Sequence, residues 1–263
     1  MSVLFSAAML LGAVAGLFAG LFGIGGGLIM VPVLAMLFAA QGFAPGQVMI
    51  MSVATSLATI ILTSIASVIA HHRLGAVIWD KVWRLVPGIM AGAVLGTVIA
   101  DRISGEVLRI VFVIYLLYVS LQLALQRKPN VGGKPSSRLQ DHAMALLTGS
   151  LSAIIGIGGG SLTVPYLVHF RIPIRNAVAV SSACGLPIAI AGTAGYILLG
   201  FKAPLLPEWS LGYIYLPAFA GIVLTSVLTA PIGAKLAGIV PAQKLKRYFA
   251  LLLLIMAAKM IWL

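Results

Sequence analysis

Residues 23–27 read GIGGG within AVAGLFAGLFGIGGGLIMVPVLAML (13–37), and residues 156–160 read GIGGG again within LLTGSLSAIIGIGGGSLTVPYLVHF (146–170). Apart from proline, glycine is the poorest helix former. It also reaches backbone dihedrals that other residues avoid. Three glycines in a row inside an apolar run therefore predict a broken helix. The break is duplicated: Gly16, Gly23, Gly25, Gly26, Gly27 and Pro32 match Gly149, Gly156, Gly158, Gly159, Gly160 and Pro165 at one constant offset of 133.

The match extends outward from the breaks. VATSL around Thr55 and Ser56 resembles VSSAC around Ser181 and Ser182, at offset 126. Gly96 and Leu108–Phe112 match Gly233 and Leu245–Phe249, at offset 137. Such ordered self-similarity is the mark of an internal repeat. The division is a first membrane repeat over 1–126, a polar linker over 127–140 and a second membrane repeat over 141–263.

The chain has 263 residues, of which 61% are hydrophobic and 8% charged. Soluble domains carry about a quarter charged residues, and apolar stretches of spanning length recur throughout. The fold class is therefore an all-α polytopic membrane protein. The net charge of +12 is best explained by basic loops on one side of a membrane, and nucleic acid is not a predicted partner. The N-terminus lacks a basic region ahead of its apolar run, so no cleaved leader is expected. A single cysteine, Cys184, forbids an internal disulfide. No CxxC, HExxH or His/Cys cluster points to a metal, and no cofactor is expected. All five carboxylates fall at segment ends, so no buried proton carrier is legible. No convergent Ser/His/Asp grouping suggests an enzyme.

Charge also orients the halves. If the chain runs straight through each GIGGG, the two halves are parallel, with eight continuous spans. Lys and Arg then divide 9 to 8 between the faces. If it turns back at each GIGGG, the halves are inverted and the split becomes 13 to 4, which obeys the positive-inside rule. The favoured reading is two inverted repeats of about five helical segments, each with a glycine-broken hairpin. Both termini then lie outside and the linker lies in the cytoplasm.

Irregular backbone at membrane depth is tolerated where it is buried in protein or lines a wet cavity. Paired breaks in two inverted halves are the best sequence pointer to a transporter's substrate site. A short helix follows each break, and its first turn offers unpaired N–H groups and the positive end of a dipole. The candidate anion site is therefore Gly23, Gly25, Gly26, Gly27, Gly156, Gly158, Gly159 and Gly160, with Ser161 at the second terminus. Pro32 and Pro165 loosen these short helices by removing one backbone hydrogen bond each. Thr55, Ser56, Ser181 and Ser182 are placed either to donate to an oxyanion or to bond back to their own helices. Gly12, Gly16 and Gly20, and Gly88, Gly92 and Gly96, have the four-residue spacing of close helix packing.

GLFGIGGGLIMVPVL with IIGIGGGSLTVPYL, the intervening ATSL and HHRLGAV, RNAVAVSSACGLPIAIAGTAGYI and the late LTAPIGAKLA together resemble the TauE/SafE (TSUP) family of anion exporters over essentially the whole chain. The resemblance implies a permease of the bacterial inner membrane that moves sulfite, thiosulfate or organosulfonates. Export is the usual direction and uptake an alternative. It also implies a coupling proton. The expected function is a secondary transporter exporting a small sulfur-containing anion by alternating access, with an anion channel as the rival. The expected partners are that anion and the lipid bilayer. The sequence leaves the oligomeric state, the identity of the anion and the coupling ion open.

Overall fold

The computed structural model describes residues 2–22, 26–125, 136–237 and 242–262. Ten helices occupy them. Five precede the linker: α1 (Ser2–Phe22), α2 (Gly27–Ala40), α3 (Pro45–Arg73), α4 (Trp79–Arg102) and α5 (Gly105–Leu125). Five follow it: α6 (Arg138–Ile155), α7 (Gly160–His169), α8 (Ile174–Gly200), α9 (Leu216–Ala237) and α10 (Ala242–Ile261). Helices α3, α4, α5 and α8 are long and apolar enough to cross a membrane. The apolar stretches of α3 and α8 are 78% and 67% buried, against 39% for α4 and α5. The first pair is therefore the centre of the bundle, while α4 and α5 keep an outward face.

Close approaches give the helix directions. Helices α3 and α8 occupy equivalent places in the two halves, and they cross antiparallel. A Cβ on Gly185 would stand 3.1 Å from Ser64 Oγ, and one on Gly192 2.9 Å from Leu57 Cδ1. The equivalent pair α5 and α10 also runs antiparallel: Ser120 Oγ donates to the Ala250 carbonyl at 2.9 Å, while Ile110 and Val113, earlier in α5, line one cleft with Met260 and Ile261, later in α10. The halves are thus inverted with respect to each other. Each half also exchanges helices with the other: α1 packs along α9, and α4 along α6. Both contacts are made by glycine. A Cβ on Gly12 or Gly16 would meet Thr225 or Thr229 Oγ1 at 2.3 Å, and one on Gly92 would meet the Leu146 carbonyl at 2.2 Å. The four-residue glycine spacing serves close packing here, as small residues do between membrane helices.

Loop contacts define two ends of the bundle. At one end, Gln47 Nε2 donates to the Pro204 carbonyl at 3.3 Å. Tyr213 Oη donates there to Asp101 Oδ1 at 2.7 Å. At the other end, Arg175 donates to the Leu74 carbonyl at 3.0 Å and Asn176 to the Ala76 carbonyl at 2.9 Å. We call this second end the basic face.

The apolar run over 209–232 predicts helix from its start, but the structure differs. Residues 210–215 form a two-stranded antiparallel hairpin, with Ser210 opposite Tyr215 and Leu211 opposite Ile214. Helix α9 begins only at Leu216. The turn needs Gly212 at φ 56, and a Cβ there would stand 2.5 Å from the Ile197 carbonyl. The hairpin folds inward. Tyr215 stacks edge-on against Phe38 and Phe43, with centroids 5.6 and 5.2 Å away.

Candidate functional site

In the second half the chain reverses over four residues. Helix α6 ends at Ile155 with Gly156 in the left-handed region, φ 80. Helix α7 starts at Gly160, capped by Gly159 at φ 74. Glycine enters this region without steric cost. The reversal is a true hairpin: Tyr166 Oη, near the end of α7, donates to Asp141 Oδ1 in the first turn of α6 at 2.9 Å. In the first half, Gly26 caps α2 at φ 69, the same role as its repeat equivalent Gly159. Gly23 and Gly25 lie outside the described residues.

The two breaks touch. A Cβ on Gly27 would stand 2.5 Å from the Gly156 carbonyl oxygen, and one on Gly156 would stand 3.0 Å from Val53 Cα. Only backbone without side chains fits there. Ser56 Oγ donates across the halves to that same Gly156 carbonyl at 2.9 Å. Gly158 packs on Gly185 of α8, with its carbonyl 3.3 Å from the Cβ position. Pro32 and Pro165 stand inside α2 and α7.

The hydroxyls divide by task. Thr55 Oγ1 accepts from the Tyr215 amide at 3.1 Å, which ties α3 to the inward-folded hairpin. Neither Thr55 nor Ser56 bonds back to its own helix. Ser52 and Thr59 do so, donating to the Val48 and Ser56 carbonyls. Ser181 is buried with no hydrogen-bond partner, while Ser182 is half-buried. Ser161, in the first turn of α7, is in hydroxyl contact with Tyr115 of α5. Ser152 and Thr163 are also buried without partners, and a Cβ on Gly159 would stand 3.2 Å from Ser152 Oγ.

The first turns of α2 and α7 are not equally open. Every residue from Gly26 to Pro32 is buried, whereas Gly160, Ser161 and Leu162 are half-exposed. The N–H groups of Gly160 and Ser161 precede the first intrahelical bonds of α7, which Leu162 and Thr163 make to the Gly159 carbonyl. Such free donors with a favourable dipole suit an anion.

Sequence reading missed a buried charge cluster on the basic face. Asp141 does stand at a segment end, but it is fully buried. Lys81 Nζ of α4 lies 2.7 Å from Asp141 Oδ2 and 2.6 Å from Ser136 Oγ. Burial works against the Asp141 charge. Hydrogen bonds from Lys81, Ser136 and Tyr166, with the Lys81 charge, outweigh it and hold the carboxyl below its ordinary value. The cluster joins α4, α6 and α7 and so anchors the second hairpin.

Residues 8–260 match the profile of the family described as sulfite exporter TauE/SafE. The chain is 38% identical over 253 residues to a probable membrane transporter protein of Haemophilus influenzae, covering 96% of each. It is 24% identical over 230 residues to one of Methanocaldococcus jannaschii, covering 87% of this chain and 84% of the relative. A shorter stretch of 103 residues is 32% identical to the sulfite exporter TauE/SafE family protein 5 of Arabidopsis thaliana, covering 37% of this chain and 22% of that one.

Proposed function

The chain belongs to the sulfite exporter TauE/SafE family and is a multi-pass membrane transporter, and we propose that its cargo is a small sulfur-containing anion, sulfite, thiosulfate or an organosulfonate, exported by alternating access. The observation that carries the reading is the meeting of the two glycine breaks, Gly27 against Gly156, beside the open first turn of α7. Unpaired amides aimed at one point hold a negative group without a counter-charge. No side chain has to be desolvated as an ion to do so.

Antiparallel equivalent helices provide the symmetry for alternating access, in which one half rocks against the other around a fixed site. The distribution of Lys and Arg supports a cytoplasmic basic face with both termini outside, and the family resemblance supports a bacterial inner membrane as the location. The membrane repeats are assigned to 1–126 and 141–263. The Arabidopsis relative's name, sulfite exporter, supports the choice of anion class.

The test is efflux from proteoliposomes loaded with sulfite, thiosulfate or sulfoacetate. The wild-type chain is expected to move at least one of them down its gradient. Gly159→Leu, which forces a side chain into a left-handed residue and against Ile188 Cδ1 at 2.7 Å, is expected to abolish that flux. Efflux of all three anions at the rate of empty liposomes would refute the proposal.

A further inference from the structure

Resting on the anion-transport reading above, we infer that the two breaks are not equivalent: the anion is bound at the N-terminus of α7 alone, and Tyr115 is the side chain that completes its site. The repeat equivalences carry the first half of this. Ser161 corresponds to Leu28 and Thr163 to Met30 at offset 133, and Tyr115 corresponds to Leu252 at offset 137. Every side-chain donor around the α7 terminus thus has an apolar counterpart around the α2 terminus.

Burial points the same way. The first turn of α2 is sealed, with Leu28 1% and Met30 0% exposed, and Met30 Sδ already receives the Thr59 hydroxyl at 3.1 Å. The first turn of α7 is half-exposed. Beside it, Ser152 is 0% exposed, has no hydrogen-bond partner and points its Oγ at Gly159. Nearly all buried polar groups are satisfied in folded proteins, so an orphan hydroxyl aimed into a helix terminus is a group waiting for a ligand. The Tyr115 hydroxyl meets Ser161 Oγ over the same turn. One of the two hydroxyl protons is held in this mutual bond, and an oxyanion bound at the Gly160 and Ser161 amides breaks the bond and accepts from both hydroxyls. The α2 side then takes no part in holding the anion, and its backbone holds the α6–α7 turn in place.

The test measures anion affinity by thermal unfolding of the purified full-length chain, with sulfite, thiosulfate and sulfoacetate as probes. A hydrogen bond to a charged group is strong enough that losing it weakens binding by about ten- to a hundredfold. Tyr115→Phe and Ser161→Ala are each expected to do so, beyond the small fall in anion-free melting temperature that loss of their mutual hydrogen bond causes in both. Met30→Leu, a volume-conserving change at the counterpart of Thr163, is expected to leave affinity unchanged. Wild-type affinity in both Tyr115→Phe and Ser161→Ala would overturn the inference and leave the transport reading standing. A tenfold loss in Met30→Leu would overturn its one-sidedness. Failure of every anion to stabilise even the wild-type chain would overturn both.

Discussion

Replacing Lys81 with Met should be the most damaging single change on the basic face. The variant leaves Asp141, with no exposed surface, ionised beside only the Tyr166 and Ser136 hydroxyls. Removing one partner of a buried ion pair costs about 3–5 kcal/mol, because the other charge stays desolvated. Asp141→Asn should cost less, about 1.5–3 kcal/mol, the scale of a hydrogen bond to a charged group. The Lys81 side chain keeps 16% of its surface exposed and can turn its ammonium to water. The double variant Lys81→Met with Asp141→Leu removes both charges and should lie within about 1 kcal/mol of wild type, since apolar pairs replace buried ion pairs well. The assay is equilibrium unfolding in mixed micelles, followed by tryptophan fluorescence. Additive costs in the double variant would mean that the pair is not coupled, and the reasoning would fail. Acid gives a second readout. The folded carboxyl lies below its ordinary value of 3.8, so its stabilisation is complete above that pH and is lost as pH falls through the lower folded value. The double variant should lose this acid sensitivity.

Three further outcomes follow from packing and topology. Gly92→Val puts a side chain 2.2 Å from the Leu146 carbonyl and should prevent a folded, monodisperse protein, whereas Gly46→Ala, with no atom within 4 Å, should change stability by no more than about 0.5 kcal/mol; size-exclusion profiles and melting curves compare them. Thr55→Val removes the acceptor of the Tyr215 amide and should cost about 1–3 kcal/mol, with faster proteolysis of the 201–215 segment as the local readout. Cys184 is the sole cysteine and is buried, so Ser136→Cys in intact cells should resist membrane-impermeant thiol reagents until the membrane is opened, as a cytoplasmic position requires.

The breaks were legible because their cause is local. No arrangement of neighbours turns GIGGG into a good helix, and its repetition with the same Val–Pro spacing set the two halves in register. Inversion was legible through the loop charges, and it appears in the antiparallel crossing of α3 and α8. The 210–215 hairpin was not legible. SLGYIY carries no charge or proline and runs without a break into the apolar helix it precedes, and its turn is set by the approach of Gly212 to Ile197, a tertiary contact. The buried state of Asp141 was hidden for a similar reason: a carboxylate at a segment end reads as solvated, and its partners Lys81 and Tyr166 lie 60 and 25 residues away. Tyr115 sits in the apolar run IVFVIYLLYV, where one aromatic carries no sign of its contact with Ser161. In Thr55 and Ser56 the sequence offered a choice between oxyanion and own-helix partners. The structure gives both hydroxyls long-range backbone partners instead.

The most direct test of the whole account is to locate the anion. Crystals of the full-length chain soaked in selenite, a heavier stand-in for sulfite, would show it by anomalous scattering at the selenium edge. The account predicts a single strong peak within hydrogen-bond distance of the Gly160 and Ser161 amides and the Tyr115 hydroxyl. A peak confined to the arginines and lysines of the basic face, with none at the α7 terminus, would contradict it.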